Sequence, residues 1–177
     1  MTTRYATSVA GQAPQTRGVL FVHSAPSALC PHVEWAVAGV LGGAVDMTWI
    51  PQPAEPGMYR TELSWQAKAG TAAELASTLR GWNLLRFEAT EEPTVSSEGQ
   101  RFSGTPDLGI FHAITGIHGD IMIPEDRIKA ALVKAKLGES DLDTEMDRLL
   151  GVAWDAELEP FRHAGDGAQV RWLHKVI

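Results

Sequence analysis

The sequence predicts an α+β protein whose first half is a ferredoxin-like βαββαβ unit with an antiparallel sheet. Short apolar or alternating segments, typical of strands, are separated by segments with an apolar residue every three to four positions, typical of helices. Between residues 17 and 92 these segments follow the order strand, helix, strand, strand, helix, strand. A hairpin, two helices and a final strand are expected to elaborate this unit.

The first strand and helix of the unit lie at residues 18–43. Residues 18–23 (GVLFVH) are almost entirely apolar, as expected for a central strand covered on both faces. A helix is predicted from Pro31, because proline in the first helical turn lacks only an N–H that has no partner there. The helix is expected to end at Gly42 and Gly43, and residues 44–50 (AVDMTWI) alternate as a second strand. The predicted core-facing residues of the helix are Val33, Val37, Val40 and Leu41.

Two further strands and a helix complete the unit. Residues 58–67 (MYRTELSWQA) alternate as in a strand with one face toward solvent. Thr71 and Glu74 predict a capping box, in which each side chain can accept a bond from a free N–H of the helix start. Residues 84–92 (LLRFEATEE) predict the last strand of the unit.

Residues 93–177 are expected to pack with the first unit as one domain, either extending its sheet or forming a second layer. Residues 93–103 predict a polar loop, and residues 107–123 a hairpin that turns through residues 116–119. Helices are predicted from residue 124 and over about residues 140–158, and residues 169–176 predict a final strand. Residues 1–16 are expected to be a disordered tail, since they contain too few large apolar side chains to fold.

Composition and charge argue against two classes of partner. The formal net charge is −7, from 15 basic and 22 acidic residues, and no basic run could bind a phosphate backbone. No stretch approaches the about 20 apolar residues of a membrane span, and the N-terminus has no apolar core of a secretory signal. The single cysteine cannot form a disulfide within the chain, which fits a reducing compartment. We therefore expect a cytoplasmic protein that binds neither nucleic acid nor membranes; its oligomeric state is not predicted.

Cys30 is a candidate catalytic nucleophile. At a helix start its thiol would lie where the helix dipole lowers a thiol pKa, and His32 and His23 are candidate bases. The alternative is that Cys30 is a small buried core residue. His23 and Ser24 cannot form a nucleophile–base pair in an extended strand, because adjacent side chains point to opposite faces.

The segment FRHAGDG, residues 161–167, is a candidate ligand-binding loop. Arg162 and His163 offer hydrogen-bond donors, and the glycines let backbone amides approach a carboxylate or phosphate closely. The alternative is a helix C-cap followed by a turn. Asp107, in TPDLG, is either a turn residue or a member of the site. The candidate ligand-binding residues are Arg162, His163, Gly165, Asp166, Gly167 and Asp107.

Neither a metal nor another cofactor is predicted. The six histidines include no H-x-H or H-x-x-x-H pair. Eight acidic residues lie between Glu139 and Glu159, against the single basic residue Arg148. They form either a surface for a basic partner or a solvated helix face partly paired with the preceding helix, where ion pairs contribute little stability.

Several long blocks of the sequence resemble the uncharacterised actinobacterial family called domain of unknown function 3145. The resemblance covers nearly everything from Arg17 onward and implies a cytosolic actinobacterial protein, without an assigned reaction or catalytic residues. Genes of that family often lie near genes of fatty-acid synthesis, which points toward acyl chains or acyl carrier protein. The blocks are residues 17–36 (RGVLFVHSAPSALCPHVEWA), 79–93 (LRGWNLLRFEATEEP), 105–113 (TPDLGIFHA), 124–128 (PEDRI) and 153–167 (AWDAELEPFRHAGDG).

These observations favour an accessory or regulatory binding protein over an enzyme, because no complete catalytic constellation is present. Its ligand is expected to be a protein partner or a small acidic metabolite, with a link to fatty-acid metabolism. The alternative is an enzyme that uses Cys30 on an acyl or thioester substrate.

Overall fold

A computed structural model describes residues 15–164, which form an α+β fold with one antiparallel sheet. The strands are β1 (Gln15–Pro26), β2 (Ile50–Pro51), β3 (Met58–Lys68), β4 (Arg86–Glu91), β5 (Gly99–Thr105), β6 (Gly109–Thr115) and β7 (Ile121–Met122). The helices are α1 (Cys30–Leu41), α2 (Thr71–Leu79), α3 (Glu125–Leu137), α4 (Leu142–Leu150) and α5 (Val152–His163). The predicted final strand and residues 1–14 of the predicted tail lie outside the described residues; Gln15 and Thr16 already belong to β1.

The strands lie side by side in the order β2-β3-β1-β4-β5-β6-β7, and every neighbouring pair is antiparallel. The second half of the chain therefore extends the sheet of the first half, which decides between the two arrangements that the sequence left open. β1 is central, as its apolar sequence predicted, and pairs with β3 on one side and β4 on the other.

One face of the sheet carries the apolar core. Because side chains alternate along a strand, Leu20 and Val22 of β1 share this face with Phe87 and Ala89 of β4. α1 and α2 cover them, burying Val33 and Val37 as the helical periodicity predicted, together with Leu75 and Leu79 of α2. The core lies between the sheet and this helix pair.

The other face is covered in part by α5, which packs against β5 and β1, while α4 contacts α5 and α3 contacts α4. The prediction of a single helix over residues 140–158 was wrong. The chain breaks at Gly151, whose φ of 75° ends α4 in the left-handed region. A Cβ at this position would also lie 2.5 Å from the Phe111 ring, so glycine lets β6 and the helix turn approach closely.

The prediction of a polar loop over residues 93–103 was also wrong, because β5 begins at Gly99 and pairs with both β4 and β6. Its polar side chains have partners within the fold: Arg101 and Ser103 both donate to Glu88 of β4. Composition alone could not separate such internally bonded polar residues from solvated ones.

The predicted strand over residues 44–50 pairs only at its end, where Ile50 lies opposite Arg60 of β3. The preceding residues keep the predicted alternation, with Met47 in the core, but Trp49 bonds to a side chain of α1 instead of a strand. The Trp49 indole N–H donates to a Glu34 carboxylate oxygen at 2.8 Å. Side-chain contacts with the helix thus replace the ladder of backbone hydrogen bonds.

α2 starts at Thr71 as predicted, but its cap is not the predicted box. Thr71 donates its hydroxyl to the Lys68 carbonyl, and Glu74 pairs with the Lys68 ammonium group. The carboxylate at the helix start comes from Glu91 of β4, which accepts the backbone N–H groups of Gly70 at 2.8 Å and Ala72 at 2.9 Å. A buried side chain distant in sequence therefore satisfies the free amides.

Candidate functional site

β1 contains a bulge at His23 and Ser24. Val22 lies opposite Thr61 and Ala25 lies opposite Tyr59, so two residues of β1 face one residue of β3. Such bulges redirect side chains and are frequent beside binding and active sites. His23 Nε2 lies 2.7 Å from Glu88 Oε2, whereas the Ser24 hydroxyl donates to Glu55 at 2.9 Å. The two side chains have different partners, in line with the exclusion of a serine–histidine pair.

Glu88 of β4 is the centre of a buried charge network on the sheet face that α5 covers. Arg162 of α5 donates through Nε to Oε2 at 2.9 Å and through Nη2 to Oε1 at 2.6 Å, a bidentate arrangement. Arg101 of β5 donates through Nη2 to Oε1 at 2.9 Å. Both arginines also bond Asp155 of α5, so two guanidinium groups and two carboxylates are matched within the network.

Two opposing effects set the ionisation of Glu88. Burial raises its pKa, but hydrogen bonds from His23 and Arg162 and the charges of these groups outweigh burial and bring the pKa far below its usual range. Burial likewise lowers the pKa of Arg162, and its contacts with Glu88 and Asp155 more than offset that effect and raise it. The network is therefore charged, with its charges internally compensated.

The C-terminal end of α5 is attached to the sheet by further polar contacts. The Gln52 side-chain amide donates to the carbonyl of His23 at 2.6 Å and to the carbonyl of Phe161 at 3.2 Å. The Arg86 guanidinium lies 4.4 Å from the centroid of the Phe161 ring, a cation–π contact. These contacts place Phe161 and Arg162 beside the bulge of β1.

A cavity of about 510 Å³ lies at this junction, between the bulge, β2, β3 and the end of α5. Its walls are largely apolar, from Phe21, Val22, Ile50 and Phe161. Its polar groups include His23, Arg162 and Glu88 of the network, and Arg60 and Glu62 of β3. A largely apolar cavity with a few polar groups is the usual form of a small-molecule site.

Arg60 differs from the other arginines around the cavity. Its Nε is buried and has no hydrogen-bond partner among residues 15–164. A buried guanidinium N–H without an acceptor costs free energy that an anionic ligand can recover. Arg60 is therefore the group in this cavity that is available to bind an acid.

The candidate catalytic residues are not assembled into a reactive centre. Cys30 is the first residue of α1 as predicted, but burial raises the pKa of its thiol, opposing the expected activation. The thiol lies 3.5 Å from the Pro26 carbonyl oxygen, to which it donates. His32 is exposed, and His23 is bonded to Glu88. These positions support the alternative of a structural cysteine.

The candidate ligand-binding residues separate into three groups. Arg162 lines the cavity, but its donors bond Glu88 and Asp155, so it acts inside the network. His163 pairs with Glu159 on the exposed side of α5, and Asp107 is exposed in the turn between β5 and β6. Gly165, Asp166 and Gly167 lie outside the described residues. Across residues 15–164 no group of three or more His, Cys, Asp or Glu side chains could hold a metal ion.

Sequence inspection identified His23 and Arg162 but missed Glu88, Arg60 and Phe21. The alternation of β3 and β4 contained a signal, since it placed Arg60 and Glu88 on the face opposite the apolar core. It could not show that Arg162 of α5, 74 residues from Glu88, would bond Glu88, while the Nε of Arg60 would have no partner among residues 15–164.

Comparison with known proteins gives one match. The chain belongs to the family described as "Protein of unknown function (DUF3145)", whose model matches residues 19–175, which confirms the resemblance seen in the sequence blocks. No curated protein and no solved structure shows a significant match. None of the helices between residues 15 and 164 combines the length and the apolar character needed to cross a bilayer.

Proposed function

We propose that this member of the DUF3145 family is a non-enzymatic binding protein whose ligand is a small carboxylate with an apolar body. The observation that carries the proposal is the Nε of Arg60, which is buried in the wall of the cavity of about 510 Å³ and has no hydrogen-bond partner among residues 15–164. An anion at this point would give the guanidinium group an acceptor in an environment of low dielectric constant, where such bonds are strong.

The charges of the neighbouring residues favour Arg60 as the recognition group. Glu88 and Asp155 already compensate Arg101 and Arg162, so these arginines have carboxylate partners without a ligand. Arg86 likewise pairs with Glu55 and Glu157. Arg60 forms no such ion pair within residues 15–164, so a ligand carboxylate would be the countercharge that it lacks.

The apolar walls of the cavity favour an organic anion with a hydrocarbon group over a small inorganic anion. Phe21, Ile50 and Phe161 offer apolar surface to a hydrocarbon group, and burying that surface contributes free energy in proportion to its area. A medium-chain acyl carboxylate is one molecule that combines both features, and this supports the proposed link with fatty-acid metabolism. Binding such a ligand needs no catalytic group, which is consistent with an accessory binding protein.

We also propose that the first half is a ferredoxin-like unit and that the protein is cytoplasmic. The strand order β2-β3-β1-β4, with α1 and α2 on one face, supports a ferredoxin-like unit. The unpaired thiol of Cys30 supports a reducing compartment. Because burial raises the pKa of the Cys30 thiol and His23, one of its candidate bases, is bonded to Glu88, we do not propose the cysteine-dependent enzyme.

The proposal is tested by titrating the full chain with octanoate and with 1-octanol by calorimetry. We expect octanoate to bind and 1-octanol to bind at least about tenfold more weakly, since a charge-assisted bond contributes about 1.5–3 kcal/mol. Arg60→Gln should weaken octanoate binding about 10- to 100-fold and leave 1-octanol unchanged.

Arg80→Gln is the matched control, because Arg80 is exposed at the end of α2 on the opposite face of the sheet. It should leave both affinities unchanged. Absence of octanoate binding, or an equal loss in the Arg80 and Arg60 variants, contradicts the proposal. Circular dichroism of both variants checks that each remains folded.

A further inference from the structure

We infer that the carboxylate ligand of this cavity also bears an ammonium group, as an α-amino acid with an apolar side chain does, and that Glu62 binds that group. The inference rests on the proposed function, which requires only the carboxylate site at Arg60. It adds a second recognition residue and narrows the ligand to a class of zwitterions.

Arg60 and Glu62 are placed to hold the two charges of one small molecule. They are two residues apart in β3, so their side chains leave the same face of the sheet, about 7 Å apart at the backbone. Both line the cavity. Their long side chains can converge on neighbouring groups of a bound ligand.

Neither residue has an ion-pair partner among residues 15–164, in contrast to the charges around them. Glu88, Asp155, Glu55 and Glu157 all pair with arginines at this junction. Arg60, which is half-buried, and Glu62, which is exposed, thus line one cavity without an ion-pair partner among residues 15–164. A ligand with one ammonium and one carboxylate group would compensate both without adding net charge.

The pairing of β3 with β1 and β2 places apolar side chains beside these two charges. Glu62 lies directly opposite Phe21 of β1, and Arg60 directly opposite Ile50 of β2. Phe161 of α5 completes the apolar wall. The polar atoms are therefore on β3 with apolar surface on either side, which matches a molecule with two charges at one end and a hydrocarbon group at the other.

The test compares amino acids with the same molecules lacking the amino group. The full chain is titrated with L-leucine and 4-methylpentanoate, with L-phenylalanine and 3-phenylpropanoate, and with 3-methylbutylamine. We expect at least one amino acid to bind about tenfold or more tightly than its deaminated counterpart. The amine, which lacks the carboxylate, should bind weakest.

Two variants assign the effect to the residues. Glu62→Gln should remove the preference for the amino acid while leaving the affinity for the deaminated acid within about twofold, and Arg60→Gln should weaken both. Glu98→Gln, a substitution of an exposed acid away from the cavity, should change neither.

The outcomes separate the two proposals. If both deaminated acids bind as tightly as their amino acids, or if Glu62→Gln weakens acid and amino acid equally, the zwitterion inference is overturned while the carboxylate site stands. If none of these compounds binds and octanoate does not bind either, both proposals fail.

Discussion

On one face of the sheet, α1 and α2 bury apolar side chains; on the other, α5 is attached through a compensated network of charges. The first contact is made by residues such as Leu20, Leu75 and Phe87, which are almost fully buried and need only be apolar and of suitable shape. The second is made by Glu88, Arg162 and their partners, each of which needs a partner in a defined direction.

Apolar packing and charge pairing place different demands on the residues of the two faces. Apolar burial is non-directional, so the α1–α2 face stabilises without specifying a ligand. Buried charges are costly when unpaired, and Glu88, Arg101 and Arg162 on the α5 face each have an oppositely charged neighbour. Arg60 on the same face has no such neighbour within residues 15–164, so its surroundings differ from those of Arg162.

Removing the central carboxylate of the charge network should destabilise the fold most. Glu88→Ala leaves Arg101 and Arg162 buried with one carboxylate fewer, and we expect a loss of about 4 kcal/mol in the free energy of unfolding. Urea unfolding at pH 7 measures it. A loss below about 1 kcal/mol would show that the network does not hold α5 to the sheet.

A cavity in the apolar face should have a slightly smaller effect. Leu75 of α2 is fully buried, and Leu75→Ala removes apolar contacts and leaves a space that the core fills only in part. We expect a loss of about 3 kcal/mol by the same urea measurement. A loss under about 1 kcal/mol would mean that the core relaxes around the missing side chain.

Lowering the pH should change the destabilisation caused by a substitution in the charge network but not that caused by a substitution in the apolar core. The pKa of Glu88 is lower in the folded protein than in the unfolded chain, so its contribution is fully present above the unfolded value of about 4.3 and is lost as the pH falls below it. The destabilisation caused by Glu88→Gln should therefore shrink by about 1.4 kcal/mol per pH unit below that value. Urea unfolding at pH 7 and pH 3 tests this; the effect of Leu75→Ala should be the same at both, and a constant effect of Glu88→Gln would contradict the assignment.

The smallest effects concern the start of α2, on the apolar face, where one charge is buried. Glu91→Gln weakens the acceptor of two helix N–H groups and should cost about 1–2 kcal/mol. Glu74→Gln removes only an exposed ion pair with Lys68 and should cost less than about 0.5 kcal/mol. Urea unfolding of the two variants measures both losses in the free energy of unfolding. A larger loss for Glu74→Gln than for Glu91→Gln would favour the capping box that the sequence predicted.

The elements that bury an apolar stripe could be predicted from the sequence. β1, α1, β3, α2 and β4 each show a periodicity that the core enforces, and the turns at Gly42 and residues 116–119 are marked by glycine. The network and the missed strand depend instead on contacts between residues far apart in the chain. From the sequence alone, Arg101 is typical of a solvated loop. Only the fold shows that its partner, Glu88, lies on the neighbouring strand.

The candidate site was predictable only in part for the same reason. His23 and Arg162 attracted notice as donors within short segments, but their acceptor is 65 and 74 residues away, respectively, at Glu88. No local pattern distinguishes an arginine whose partner is supplied by another element from one that is left without a partner. Arg60, which alternation alone assigned to a solvent-facing row, lies in the wall of the cavity because of the register of β2 and the position of α5.

The two ends of the sheet have a consequence for self-association. β2 and β7 form its outer edges, and each is only two residues long, with Pro51 contributing no N–H. A long unpaired edge strand is a template on which another chain can add a strand and begin to aggregate. Because β2 pairs only with Tyr59 and Arg60, the outer side of β3 from Thr61 to Lys68 has no strand partner among residues 15–164 and is where another chain could add a strand.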